Sequence, residues 1–543
     1  MFNKEITKQI LEVINNIAED NNITAACIYG SRVSGYGRKE SDYDLIIVLK
    51  DYKSKVKYRY INEELDISAL IVNEKDLVND AKRASLGEFV IGRLLNPYYP
   101  LIGDEFLREV EIEYKKRVIE EILNEEFINY GKFFHNIHFP IKYFLFEKLK
   151  KRATMYPPAK YSYVKTYFGD FGEKNVNVTI KNFIEGAKIL SNQNEIIFEE
   201  NIVRIIDKWR HKKLNQKIVN FMLNITRIIK SYLIHGYAAR VGPNVFAREF
   251  KAKFDRNRSI IEIPDEMKFP KKLLKIESGI LIIETENWLY EIANYLGLEQ
   301  FTIKQDRMGE FYNIANLYII KDKNRTEKIV VKKFRDIRSL KWPILNIITR
   351  QYNKFEFSPI SRLSNEYKSI NKLNKLGINT LKIIGVYLSD RILVTKYIEG
   401  TKIDDIINQI FSGDTKYLDV IRLYGSEIGK IHNSDYVLGD TKPSNAIWSK
   451  NKIYFTDLEH TKKYGNKAWD IGEFICFASK FSFNYDTIKE IINKFIDGYL
   501  ETGDKRDLKK VTESNILKIF IPMLTVKTLN IIKNIVEERV KNY

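Results

Sequence analysis

The chain has 543 residues, of which 44% are hydrophobic and 29% charged, and its formal net charge is +18. That length exceeds what one core can organise and points to about three domains. No apolar run approaches the ~20 residues of a membrane helix, and charges interrupt the start MFNKEITKQILEVINNIAEDNN throughout, unlike a signal peptide, so a globular, cytoplasmic protein with no membrane part is expected. Cys27 and Cys476 are too few and too far apart in sequence for a zinc cluster, and neither disulfide nor metal-thiolate chemistry is indicated.

In chain order, Ile6, Ile10, Leu11, Val13, Ile14 and Ile17 mark one face of a helix over 4–18. ITAACIYG reads as a strand ending in glycine, YDLIIVL as a second strand and ELDISALIV as a third. In IYGSRVSGYGRKESDYDLIIVL, Gly30 and Ser31 close the first strand, and Asp42 and Asp44 open the second. Side chains at i and i+2 of a strand share a face, so the two carboxylates point together and repel unless a divalent cation lies between them. An oxygen-preferring Mg²⁺ with a nucleoside triphosphate is the natural occupant, and Asp66 on the third strand is the candidate third carboxylate. Gly30 lets backbone approach the phosphates, and the Ser31 hydroxyl can donate to them. These residues resemble the minimal nucleotidyltransferases of the DNA polymerase β superfamily over about residues 20–75. The resemblance implies transfer of a nucleoside monophosphate, or a domain kept as a binding module.

From about 111 the pattern turns helical, in VIEEILNEEFINYGKFF and KIVNFMLNITRIIKSYLIHGYAARV, broken by YPPAKY and VGPN. KYFLFEKLKKRATMYPPAKYSYVKTYFG interleaves basic and aromatic residues, a composition that suits either RNA contact or a core. HKKLNQK from 211 reads as a solvated helix face, and His135 and His138 as structural. The charge balance runs from −3 over 1–110 to +8 over 111–300 and +13 over 301–543, a basic bias that suits either phosphate-rich partners or solubility alone.

In the last part, LGDTKPSNAIWSKNKIYFTDLEH (438–460) supplies what phosphoryl transfer needs. Asp440 would orient the acceptor hydroxyl, Lys442 would neutralise the γ-phosphate, and Asn445 with Asp457 would hold Mg²⁺. Here the chain resembles the protein kinase superfamily: GDTKPSN stands for the catalytic loop and TDLE for the metal-binding DFG. RTEKIVVKKF looks like the strand of the ATP lysine, with Lys332 in that role, and Lys333 falls on the opposite face. SRLSNEYKSINKLNKLGIN resembles the helix whose Glu366 would pair with Lys332, LVTKYIEG the hinge, and AWDIGEF supplies Asp470 to brace the catalytic loop. Leu438 and Gly439 replace His-Arg, and only twelve residues separate Asp457 from Asp470, too few for a long activation segment. Near KQDRMGEFYNIANLYII only Gly309 is available for a glycine-rich loop. Glu459 reads as a residue solvating its turn and His460 as a surface or hydrogen-bonding residue. The compact form is similar to archaeal RIO kinases and to the small kinase of the KEOPS tRNA-modification complex.

The expected fold is α/β and α+β multidomain: a nucleotidyltransferase fold over 1–110, a helical, basic middle over 111–300 and a bilobal protein-kinase-like fold over 301–543. The resemblances imply an enzyme, an ATP- and Mg²⁺-dependent kinase acting on a protein or RNA acceptor, tRNA included. Two alternatives stand beside it: nucleotidyl transfer with the kinase part regulatory, or a nucleotide-sensing scaffold on tRNA. The richness in Lys, Ile, Asn and Tyr fits an AT-rich genome, and the resemblance to archaeal kinases implies an archaeal source.

Overall fold

A computed structural model describes residues 3–54, 56–156, 159–206, 209, 262–285, 287–308, 313–323, 325–336, 358–480, 484–513 and 515–541. The expectations for HKKLNQK, for the helix from 217 and for Gly309 fall outside them. The chain divides into two compact units, residues 1–275 and 276–543.

In the first unit, helix α1 (Lys4–Ala18) starts where the Asn3 side chain accepts from Glu5 N. Strands β1 (Ile23–Tyr29), β2 (Tyr43–Leu49), β3 (Val56–Asn62), β4 (Asp66–Asn73) and β5 (Tyr99–Ile102) form one sheet in the order β3-β4-β2-β1-β5. β2 and β4 run parallel; β3–β4, β1–β2 and β1–β5 are antiparallel. Alternate residues Ala26, Ile28, Leu45, Ile47, Ile67, Ala69 and Ile71 bury one sheet face under Ile10, Ile14 and Ile17 of α1. Helices Glu74–Arg83 and α2 (Asp104–Tyr130) lie against the sheet as well. Beyond α2 come α3 (Ile141–Met155) and α4 (Gly172–Asn192), with three short strands, Ile137–Pro140, Ile196–Glu199 and Ile202–Ile205, among the helices.

In the second unit, strands β6 (Ile280–Ile282), β7 (Thr302–Met308), β8 (Asn313–Lys321) and β9 (Thr326–Phe334) precede helix α5 (Pro359–Lys375), and β10 (Ile383–Tyr387) and β11 (Ile392–Lys396) follow it. These six strands make one sheet, β6-β10-β11-β9-β8-β7. One face is sealed by Ile329, Val331, Ile384 and Val394 packed on Ile292 and Ala293 of helix Trp288–Tyr295. Lys332 alternates with Val331 and so faces the other way, towards α5. The rest is mainly helical: α6 (Leu418–Asn433), the short hairpin of β12 (Ala446–Ser449) and β13 (Lys452–Phe455), α7 (Lys467–Ser479) and α8 (Tyr485–Thr502). The Phe474 ring lies 4.5 Å from the rings of both Tyr424 and Phe495 where α6, α7 and α8 meet. Among the described residues no helix is long and apolar enough to cross a membrane.

Candidate functional sites

In the second unit, residues far apart in sequence converge on one ammonium. Lys332 Nζ donates to Glu366 Oε2 at 2.5 Å and to Asp457 Oδ1 at 2.7 Å, and lies 3.6 Å from Glu459 Oε2. Three carboxylates this close repel one another, and the Lys332 ammonium they share, with Arg362 beside Glu459, offsets that repulsion. Burial opposes the ammonium, but Asp457, Glu366 and Glu459 together hold Lys332 protonated and above its ordinary range. Burial pushes the Glu366 carboxyl up to about 7, with Lys332 pulling against it. Lys333 points elsewhere, to Asp390 at 3.0 Å, as the strand register requires.

The loop after α6 is fixed from below. Asp470, on α7, accepts from Leu438 N (2.6 Å) and Gly439 N (2.8 Å), and its Oδ2 meets His432 Nε2 at 3.2 Å. Glu473, one turn further, accepts from Thr441 N at 2.8 Å. These bonds hold the backbone on both sides of Asp440, whose Oδ1 pairs with Lys442 Nζ at 3.0 Å. Burial lowers the Lys442 pKa, but Asp440 and then Glu473 more than offset it and keep the ammonium above its usual range. Asn445 donates from its side-chain amide to Asp440 O (3.2 Å), leaving Oδ1 as its ligand atom. Thr456 bonds Asn445 O through both N (2.9 Å) and Oγ1 (3.0 Å), which sets Asn445 beside Asp457. Asp457 adopts φ 55°, in the left-handed region that Asp tolerates.

Among the described residues, one trio of acidic or other ligand side chains has its ligand atoms within 4.8 Å of each other: Glu366, Asp457 and Glu459. Asp457 and Asn445 offer oxygen only, a donor set that fits a hard divalent cation.

In the first unit, Tyr60, Ser68, Asp44 and Tyr29 stand in register across β3, β4, β2 and β1, on the face opposite α1. Tyr43 pairs with Ile67, so the exposed Asp42 and Asp66 immediately precede paired positions at one end of two parallel strands. Gly30 has φ +82°, and a Cβ there would lie 2.2 Å from Asp44 Oδ2, so only glycine lets the carboxylate rest on the chain at this point. Ser31 opens the turn Ser31–Ser34 and accepts from Gly37 N at 2.9 Å. Arg32 donates to Ser41 O at 2.8 Å and lies 4.1 Å over the Tyr43 ring, tying this loop to the residues around Asp42. Asn175 of α4 donates to Ser34 O at 2.9 Å, and Tyr36 shares a hydrogen bond with Ser162 at 3.0 Å, so the later helices brace the loop. Asp42, Asp44 and Asp66 are therefore brought to one sheet end without closing into a 4.8 Å trio.

One reading of the sequence changes, and two that named alternatives are narrowed to one of them. Glu459 does not solvate a turn: it is 6% exposed and paired with Arg362 at 3.3 Å. His460 takes the hydrogen-bonding role of the two expected for it, with Nε2 3.4 Å from Glu459 Oε1. The basic-aromatic stretch is core on α3: Tyr143, Phe144 and Phe146 are buried, while Lys148 (2.8 Å) and Arg152 (3.4 Å) pair with the buried Glu88. Residues that sequence reasoning passed over are Arg362 and Asn365, both on α5, and Glu473 on α7. The signal was present as spacing: Arg362, Asn365 and Glu366 share a helix face, as do Asp470 and Glu473.

Comparison with known proteins finds one family model and several relatives. Residues 12–91 match the family model described as Polymerase beta, Nucleotidyltransferase. The chain is 30% identical over 97 residues to the KEOPS complex subunit Bud32 of Pyrococcus abyssi, covering 18% of this chain and 43% of that one. It is 26% identical over 159 residues to a probable bifunctional tRNA threonylcarbamoyladenosine biosynthesis protein of Methanobrevibacter smithii, 28% of each chain. A probable serine/threonine-protein kinase BUD32 homolog of Archaeoglobus fulgidus is 24% identical over 150 residues, 27% of this chain and 71% of that one. The chain thus spans less than half the length of the first two relatives. It combines an N-terminal nucleotidyltransferase domain with a region similar to Bud32-type kinases.

Proposed function

We propose that the second unit is a bilobal, protein-kinase-like phosphotransferase that moves the γ-phosphate of ATP to a hydroxyl. The observation that carries this is the contact of Lys332 with Glu366 and Asp457, 34 and 125 residues away in sequence. In this reading Lys332, held by Glu366, receives the α- and β-phosphates. Asp440 orients the acceptor hydroxyl and takes its proton, and Lys442 balances the charge growing on the transferred phosphoryl group. Asn445 and Asp457 would hold Mg²⁺, which shields the β and γ oxygens when bound. Asp470 and Glu473 keep the loop backbone from shifting as charge develops. The acceptor is a protein Ser or Thr, or an RNA. The net charge of +18 and the likeness to a relative named for tRNA threonylcarbamoyladenosine biosynthesis support an RNA-associated setting.

A second reading concerns the first unit. The seat of Asp44 on Gly30, with Asp42 and Asp66 at the same sheet end, supports nucleotidyl transfer there: Asp42, Asp44 and Asp66 would hold Mg²⁺, and Gly30 and Ser31 would face the triphosphate of ATP or another NTP. ATP labelled at the α- or γ-phosphate, incubated with the full chain, total RNA and cell extract, separates the two. Label from the γ-phosphate on an acceptor supports the phosphotransferase, and label from the α-phosphate supports the nucleotidyltransferase. Saturable ATP and RNA binding with no transfer from either position would refute both and leave a binding protein.

A further inference from the structure

The phosphotransferase reading leaves a buried pair unused. Arg362 is 1% exposed, and its Nη1 faces both Glu459 oxygens at 3.3 and 3.4 Å, while Nη2 donates to Arg335 O at 2.5 Å. One turn along α5, Asn365 Nδ2 donates to Glu459 O at 2.7 Å and to Thr461 O at 2.8 Å. The next residue is Glu366, which meets Lys332. One face of α5 therefore grips the segment 459–461, and through Arg335 O it also grips the chain just past β9, the strand that carries Lys332. Burial raises the Glu459 carboxyl, but Lys332, His460 and Arg362 more than offset it and hold the carboxyl well below its ordinary range.

Resting on that reading, we propose that Arg362, Asn365 and Glu459 form a permanent clamp that keeps α5 docked and so fixes Glu366 and Asp457 around Lys332. The three are positioning residues for phosphoryl transfer. The clamp supplies from inside the core what a long activation segment would otherwise supply, and only twelve residues lie between Asp457 and Asp470. A planar guanidinium meets the carboxylate and the carbonyl with two separate nitrogens held at a fixed spacing, a geometry that the single nitrogen of a lysine ammonium does not reproduce. The interaction is buried, so salt will not screen it as it does a surface pair.

The test uses the full chain with Glu459→Gln, Arg362→Lys and the exchanged pair Arg362→Glu/Glu459→Arg. Amide hydrogen exchange is followed over 359–375 and 456–463, with helix α8 as the internal control, alongside kcat and KM for γ-phosphate transfer. Either single variant should speed exchange in the two segments and leave α8 protected. Each should lower kcat by about 10- to 100-fold, the usual range for residues that orient a metal-binding group, with KM for ATP moving less. The exchanged pair should recover part of both losses. Unchanged exchange and kcat in both single variants, or exchange that rises equally in α8, overturns the clamp. If one variant does not fold, the other decides. If the unaltered chain transfers no γ-phosphate, the phosphotransferase reading fails, and the exchange pattern alone decides the clamp.

Discussion

The two acidic sites of this chain handle the same electrostatic problem in different ways. In the second unit Lys332 is an internal cation, and Glu366, Asp457 and Glu459 close around it within 4.8 Å. In the first unit Asp42 and Asp66 are exposed, Asp44 leans on Gly30, and the three do not close. The difference lies in preorganisation: carboxylates gather tightly where the protein provides positive charge, and stay apart at a solvated edge where it provides none among them.

Breaking the second site should have the largest effect. Asp440→Ala should lower γ-phosphate transfer by about 10³-fold or more while circular dichroism shows an unchanged fold. Lys332→Met should come next, in stability: it leaves Glu366 buried without its partner, at a cost of about 3–5 kcal/mol by denaturant unfolding. Lys332→Met with Glu366→Leu should recover much of that loss, because no lone buried charge then remains. The first site should break through sterics. Gly30→Ala places a methyl against Asp44 at a positive φ and should cost about 1–3 kcal/mol in thermal unfolding, together with any α-phosphate transfer.

The smallest effect sharpens the comparison away from either site. Asp80 is buried and accepts from Leu86 N, Glu88 N and Ile91 N at 2.8, 3.0 and 3.2 Å. Burial pushes its carboxyl up from 3.8 to about 6, against the Ile91 N–H and with Glu88 adding to the rise. The folded chain then keeps a proton that the unfolded chain releases, so the Asp80 contribution to stability is greatest below about pH 3.8, falls as pH rises to about 6 and is flat above. Asp80→Asn, which can still accept two of these bonds, should remove that slope from unfolding measured across the window.

Much of the scaffold was legible because periodicity is local. Strands Ile23–Tyr29 and Tyr43–Leu49 and helix Lys4–Ala18 fall where apolar alternation and helical spacing place them. Strand Val56–Asn62 was not legible: as an edge strand it carries Lys57, Arg59 and Tyr60 towards solvent and buries only Val56 fully. Lys332 and Glu366 were found by resemblance to a known pattern, and their contact follows from the strand register and helix placement. Glu459 was misread because its partner lies 97 residues away on α5, and Glu88 plays the same part for Lys148, 60 residues away. Local composition marks a charge as polar, and only tertiary packing shows that it is buried and paired.

In the proposed reaction Asp457, gathered by Lys332, serves phosphoryl transfer. This role is tested most directly by measuring γ-phosphate transfer from Mg²⁺·ATP by the full chain and by Asp457→Ala at saturating ATP. Transfer by the unaltered chain should depend on Mg²⁺, and the variant should be about 10³-fold slower. Equal rates in the two proteins would contradict this role.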